Sequence, residues 1–283
     1  MTLDSYPDSG TLPLGPAKAG LWTNLKVMAR VIYALVLRES RTRYGRSDLG
    51  YFWGLFDPMM QLVVLGLVFG LLNRKVPFNA SLPVFLVTGI LPYFFWRGCV
   101  SRGASAAASN IPLLTYPQVK VMDVVIARVL LDAATNVVIA LIFVVGIHYV
   151  TAEPFSSWMH DPLQMILSYV TLFYLALCSA VFSANLARVF PLWTQIFNYL
   201  SRPLWFASGI FFTLRDLPKT FAKYAIYNPI AHMLEWIRAA TIPGFSSDLY
   251  NPWFILSFST VVLLIGMTVD AYLRMVGHAD ESY

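Results

Sequence analysis

Three arginines fall inside long apolar runs of this sequence, and they are the residues best placed to do chemistry. Arg128 and Asp132 are four apart on one helical face and can neutralise each other. Arg97 and Arg202 have no such neighbour along the chain. A cation held in an apolar setting recruits an anion, here a lipid phosphate or an acidic polymer. The competing use is snorkelling to a headgroup. Aromatic clusters lie close by, Tyr51-Phe52-Trp53 with Phe56, Tyr93-Phe94-Phe95-Trp96, and Phe197 with Tyr199, Trp205 and Phe206. Their flat apolar faces and polar edges suit sliding sugar rings, whereas a belt at the bilayer interface is the other reading. The candidate substrate-path residues are therefore Tyr51, Phe52, Trp53, Phe56, Trp96, Arg97, Phe197, Arg202 and Trp205.

Covalent catalysis finds little to work with. No phosphate-binding G-x-x-x-x-G-K-[ST] run, H-E-x-x-H, C-x-x-C or G-x-S-x-G occurs in the sequence. His148, His160, His232 and His278 are scattered, with no pair at metal-ligand spacing, so no metal site is expected. Asp48, Asp57, Asp123 and Asp270 would be the carboxylates of a lipid-modifying membrane enzyme, but no two have a catalytic spacing. The chain is expected not to be an enzyme and to hold no cofactor. Energy for transport must then come from another polypeptide or an ion gradient. Cys99 and Cys178 both fall in apolar spans, and no structural disulfide is expected.

The elements that position these side chains follow from composition. Of 283 residues, 58% are hydrophobic and only 12% charged, with a mean hydropathy of +0.62. A soluble domain carries about twice that charge, so lipid is the solvent for much of the chain. A membrane-spanning helix needs about 20 apolar residues. Six stretches qualify, at roughly 51–72, 82–102, 124–149, 162–187, 190–213 and 252–273. One central Arg costs about 3 kcal/mol on insertion scales. Each Leu, Ile, Phe or Val returns up to about 0.6 kcal/mol, so the Arg-bearing spans survive. The fold expected is all-α, a polytopic membrane protein. Gly66 and Gly70, and Ala176, Ala180 and Ala184, are small-residue stripes of the kind that let helices pack closely within the chain.

Basic residues set the orientation. Lys18, Lys26, Arg30, Arg38, Arg41, Arg43 and Arg46 all precede the first span, and this block places both termini in the cytoplasm. Residues 1–19 read as a disordered tail without a signal peptide. The rest, 20–283, reads as one transmembrane domain. Within it, residues 20–46 start as an amphipathic helix, with Leu21, Leu25, Met28, Ile32 and Leu35 on one face and Lys26, Arg30 and Arg38 on another. Such a helix lies in the membrane interface or packs on a partner. Pro58 predicts a kink or a helix start.

Two connections are unusual. The loop at 104–122 exposes Ile111, Leu113, Leu114 and Val119 where a surface loop is normally polar, so it docks on a partner or enters the headgroups. The 214–251 connection carries two short helices broken at Asn228-Pro229, too short to cross, and predicts a re-entrant hairpin. Its second helix puts Ile230, Met233, Leu234 and Ile237 on one face, with Glu235 and Arg238 turned to water or to each other.

Two motifs carry a resemblance. The run R-Y-x-x-x-x-L-G-x-x-W-x-x-x-x-P, from Arg43 and Tyr44 through Leu49, Gly50 and Trp53 to Pro58, resembles the entry to the first span of type-2 ABC exporter permeases. The run N-x-P-L-L-x-Y-P-x-V-K-x-x-D-x-x-x-A-R, from Asn110 to Arg128, is similar to their capsular-polysaccharide branch. The resemblance covers nearly the whole chain and implies that 20–283 is one permease domain. It implies a homodimer in the bacterial inner membrane, bound to two copies of a cytoplasmic ATPase that holds ATP-Mg. The substrate implied is a lipid-linked, acidic polysaccharide, with periplasmic and outer-membrane export proteins as further partners and no nucleic acid. It also implies a coupling role for Asn110, Leu113, Leu114, Tyr116, Pro117, Gln118 and Lys120. Arg43, Tyr44 and Arg46 are placed at the lipid linker or headgroups, and the hairpin becomes a periplasmic gate. Export of teichoic acid, O-antigen or another amphiphile stands as the alternative.

Overall fold

The computed structural model describes residues 21–44, 50–72, 80–114, 119–152, 154, 158–218, 223–245, 247 and 249–280. Among these the structure is helical, without strands. The helices are α1 (Leu21–Tyr44), α2 (Gly50–Leu71), α3 (Leu82–Ala104), the single turn α4 (Ile111–Leu114), α5 (Val121–Thr151), α6 (Pro162–Val189), α7 (Trp193–Ala207), α8 (Pro229–Thr241) and α9 (Pro252–Asp280).

Three of these helices begin with the same device. Asp161, Asn228 and Asn251 each precede a proline, and each side chain accepts hydrogen bonds from backbone N–H groups of the first turn. Proline at the first helical position has no N–H to lose, and the acidic or amide oxygen caps the donors behind it. The break expected at Asn228-Pro229 is thus the start of α8.

Among the described residues, four helices are long and apolar enough to cross a membrane: Leu82–Ala104, Val121–Thr151, Pro162–Val189 and Pro252–Val276. In α2 the apolar stretch is the shorter Pro58–Leu71, and the helix runs on through Pro58 rather than starting there. The helix found within 190–213 is Trp193–Ala207, only 15 residues. At 1.5 Å per residue it reaches about 22 Å, short of a hydrocarbon core of about 30 Å. Gly209 then takes a left-handed φ of 78° and turns the chain.

The core centres on α6, which packs against α3 on one side and α9 on another, and also touches α5, α7 and α8. Close approach explains this. A Cβ on Gly103 would sit 2.6 Å from the Ala180 carbonyl oxygen, and one on Gly266 would sit 2.9 Å from the Phe182 Cα. Backbones therefore touch where glycine leaves room. Ala176, Ala180 and Ala184 are buried in this seam, as expected. Gly66 and Gly70 are not: nothing lies within 4 Å of a Cβ built at either. Their stripe packs on no other part of the described chain.

Helix α1 lies along α5 and touches α2 only slightly. Leu35 is its buried anchor, while Trp22, Leu25 and Met28 are exposed.

Candidate functional site

Helices α2, α3 and α7 enclose a cleft of about 280 Å³ lined by Gln61, Tyr93, Phe94, Arg97, Ser201, Arg202, Trp205 and Phe206. Each wall has a local cause. On α3, Tyr93, Phe94 and Arg97 fall within a turn of one another, so ring and cation share a face; the Arg97 guanidinium carbon lies 6.0 Å from the Phe94 ring centroid. On α7, Ser201, Arg202, Trp205 and Phe206 follow the same spacing. Two hydrogen bonds tie the walls together: Tyr93 Oη donates to the Ser201 carbonyl, and Arg97 Nε donates to Ser201 Oγ at 3.0 Å. The partner for Arg97 that the linear sequence does not show is therefore a serine 104 residues away.

Two atoms in this lining are buried without a hydrogen-bond partner among the described residues: Gln61 Oε1, an acceptor, and Trp205 Nε1, a donor. The indole is held edge-on between Phe206 and Phe211, with centroids 5.0 and 4.5 Å away. A second groove, of about 490 Å³ between α3, α5 and α6, is lined almost wholly by apolar side chains such as Val137, Ile166 and Phe173. Its chemistry suits hydrocarbon rather than a polar solute.

Of the residues expected on the substrate path, Arg97, Arg202 and Trp205 meet in the cleft. Trp96 and Phe197 do not. Both are buried, their rings 5.8 Å apart, and Trp96 Nε1 donates to Ser179 Oγ at 3.2 Å. They are core because α6 and α7 close over that side of α3. Tyr51, Phe52 and Trp53 lie on the first turns of α2, and their side chains are outside the described set; Phe56 is half-buried farther along. Gln61 and Ser201 were not among the expected residues. Gln61 had a signal: it is the only side chain able to hydrogen-bond strongly between Pro58 and Leu71.

Asp132 takes Arg102, with Nε 2.6 Å from Oδ2. Arg128 reaches the start of the 104–122 loop, where Nη1 donates to the Arg102 carbonyl at 2.9 Å and Nη2 to Ser109 Oγ at 2.7 Å. It also lies 3.3 Å from Glu39 of α1. Side chains lean toward a helix's N-terminus, which carries Arg128 to the loop. Asn110 is buried, receives Arg38 Nη1 at 3.0 Å and donates to the Ala106 carbonyl. It is an internal strut of the loop. Leu113 is partly buried against the core, Ile111 is 64% exposed and Lys120 is exposed. The Lys120 N–H is capped by Asp123. The Leu114 side chain, Tyr116, Pro117 and Gln118 lie outside the described residues, as do Arg46 and the side chains of Arg43 and Tyr44.

The hairpin also differs from expectation. Ile230, Met233, Leu234 and Ile237 are buried as predicted, but so are Glu235 and Arg238. Arg238 donates to the carbonyls of Gly209, Ile210 and Phe212 at 2.7, 2.9 and 3.2 Å, and sits 4.0 Å over the Phe85 ring. Glu235 Oε1 accepts from the Leu214 N–H at 2.8 Å. Burial outweighs the opposing pull of Glu235 and Asp216 and lowers the Arg238 guanidinium to about 10, so it is a cation at neutral pH. The turn after α7 leaves carbonyls without helical partners, and this cation satisfies them.

The carboxylates offered for catalysis are otherwise engaged. Asp123 caps α5, and Asp270 bridges Arg188 and Arg274. The side chain of Asp57, and the whole of Asp48, lie outside the described residues.

Residues 30–242 match the family of ABC-2 type transporters. The chain is 31% identical over 247 residues to the polysialic acid transport protein KpsM of Escherichia coli, covering 87% of this chain and 95% of that one. It is 29% identical over 255 residues to the capsule polysaccharide export inner-membrane protein CtrC of Neisseria meningitidis serogroup B, with 89% and 94% covered. It is 25% identical over 249 residues to the capsule polysaccharide export inner-membrane protein BexB of Haemophilus influenzae, with 87% and 92% covered.

Proposed function

The chain belongs to the ABC-2 type transporter family, and from that membership we infer that it is the membrane permease of a capsular-polysaccharide exporter. The observation that carries this reading to particular residues is the α2–α3–α7 cleft. It sets Arg97 and Arg202 among Tyr93, Phe94, Trp205 and Phe206, between helices otherwise built for lipid. Paired cations favour an anionic polymer, and ring faces favour sugars over a long, loosely held path. The outward face of α7 exposes Gln195, Asn198, Tyr199 and Arg202. Polar side chains on a helix at membrane depth belong against water or protein, so a second copy of the chain is read as closing a channel over this face.

In this reading α2 and α7 count as the first and fifth of six spans, and both termini are cytoplasmic. The connection from α7 to α9 dips into the outer leaflet and returns. The segment near 104–122 docks on a separate ATPase that binds ATP-Mg, two copies per dimer. Arg128, Asn110 and Arg38 brace that segment against α5 and α1.

The test replaces Arg97 and Arg202 by glutamine, singly and together, in cells lacking the native copy. Surface polysaccharide should fall about tenfold for each, the worth of one charge-assisted hydrogen bond, while membrane abundance stays constant. Wild-type polysaccharide from the double variant would overturn the cleft as substrate path.

A further inference from the structure

Buried polar atoms in folded proteins nearly always find a partner, and one that does not calls for a cause, with strain, a functional role and an unfilled position among the candidates. Gln61 Oε1 and Trp205 Nε1 are two such atoms, and their residues line the same cleft from opposite walls, one on α2 and one on α7. One can only accept here and the other can only donate.

We propose that Gln61 and Trp205 form a hydroxyl-reading position in the cleft, taking a saccharide hydroxyl that donates to the glutamine and accepts from the indole. The proposal rests on the reading of the cleft as the substrate path. A hydroxyl is the neutral group that serves both atoms at once. Arg97 and Arg202 stand beside it, so the unit recognised carries a hydroxyl and an acidic group on one sugar. The indole is fixed for the task. Phe206 and Phe211 hold it edge-on, so its N–H cannot swing away without breaking two ring contacts. Position and donor direction are therefore set before the polymer arrives, which limits what ordering costs on binding. The arginines attract any anion; the Gln61–Trp205 pair adds a demand for a sugar.

Gln61→Leu removes one orphan atom at nearly constant shape, and Trp205→Phe removes the other together with part of the indole ring. An apolar side chain at Gln61 relieves an unsatisfied buried group, so that variant should not lose stability, whereas Trp205→Phe sets the same relief against the packing it gives up with Phe206 and Phe211. The full chain is expressed with its native ATPase in cells deleted for their own copy. Surface polysaccharide is assayed as total carbohydrate, and the purified protein is titrated with SDS in mixed micelles. Export is expected to fall about tenfold in each variant, with the unfolding midpoint of Gln61→Leu equal to or above that of wild type. That opposite movement is what a merely structural role does not produce. Gln61→Glu, which keeps the acceptor and adds a negative charge, should be worse than Gln61→Leu for an acidic polymer. Wild-type export from Gln61→Leu and Trp205→Phe, with the arginine variants defective, overturns the hydroxyl position and leaves the cleft reading intact. Export lost only in step with stability overturns it as well.

Discussion

Replacing Arg238 by methionine tests how the hairpin is held. The side chain is fully buried, and its guanidinium meets three carbonyls at 2.7 to 3.2 Å. Each hydrogen bond to a charged group contributes about 1.5–3 kcal/mol. Methionine fills the volume and keeps the contact with Phe85, but strands the carbonyls of Gly209, Ile210 and Phe212. It also leaves Glu235 buried beside no cation. Breaking a buried ionic arrangement by removing one partner costs about 3–5 kcal/mol, and the retained packing of methionine against Phe85 keeps the loss at the lower end. The expected destabilisation is about 3 kcal/mol. Glu235→Gln in the same chain removes the stranded charge and should recover about 1–2 kcal/mol of it. SDS unfolding in dodecyl maltoside micelles, followed by circular dichroism, measures both. If Arg238→Met lies within 1 kcal/mol of wild type, or the double variant is simply the sum of the singles, the buried cation does not organise the end of α7.

Gly103→Ala should push α3 off α6 and cost about 1–3 kcal/mol in the same unfolding assay, because the Ala180 carbonyl has nowhere to go; no loss would refute the backbone contact. Arg128→Met should loosen the start of the 104–122 loop, lowering export while raising ATP hydrolysis uncoupled from it, whereas Arg128→Lys should retain part of the coupling; equal behaviour of the two would exclude a role for the forked contacts to Arg102 and Ser109. Cysteines at Tyr116 and Pro117 should crosslink to the partner ATPase, and the absence of any cytoplasmic adduct would end the docking assignment. Single cysteines at the exposed positions Arg215, Lys223 and Pro243 should all react with an impermeant maleimide from the periplasmic side. Labelling of Arg215 from outside and Pro243 from inside would make the hairpin a crossing.

Hydropathy was enough to place the long helices because a span is mostly apolar whether lipid or protein surrounds it; α3, α5, α6 and α9 begin and end within a few residues of the expected bounds, apart from the extension of α9. The short α7 was harder. Its flanks, 190–192 and 208–213, are as apolar as the helix, and hydropathy does not register the turn that Gly209 makes. Side-chain partners were least legible. Arg128 and Asp132 are neighbours in sequence, and the loop and α3 supply them with partners, Ser109 and Arg102, that the linear sequence does not show. Glu235 and Arg238 read as a water-facing pair from their charge, and only the orphan carbonyls after α7 make burial tolerable. Aromatic clustering points equally to Trp205, which lines the cleft, and to Trp96, which is buried, since ring content alone does not separate a cleft wall from a core.

The reach of the arginine contacts along the chain has a consequence for synthesis. Arg102 meets Asp132 only 30 residues later, so α3 and α5 can cancel that charge within about 2–6 s at ribosomal rates. Arg97 waits 104 residues for Ser201, about 5–20 s, with its wall of the cleft unfinished. During that interval the insertion machinery, rather than the protein, must shelter the guanidinium. Cells short of insertase capacity should therefore lose this chain at the α3 stage, and Arg97→Gln should be the variant that survives such a shortage best.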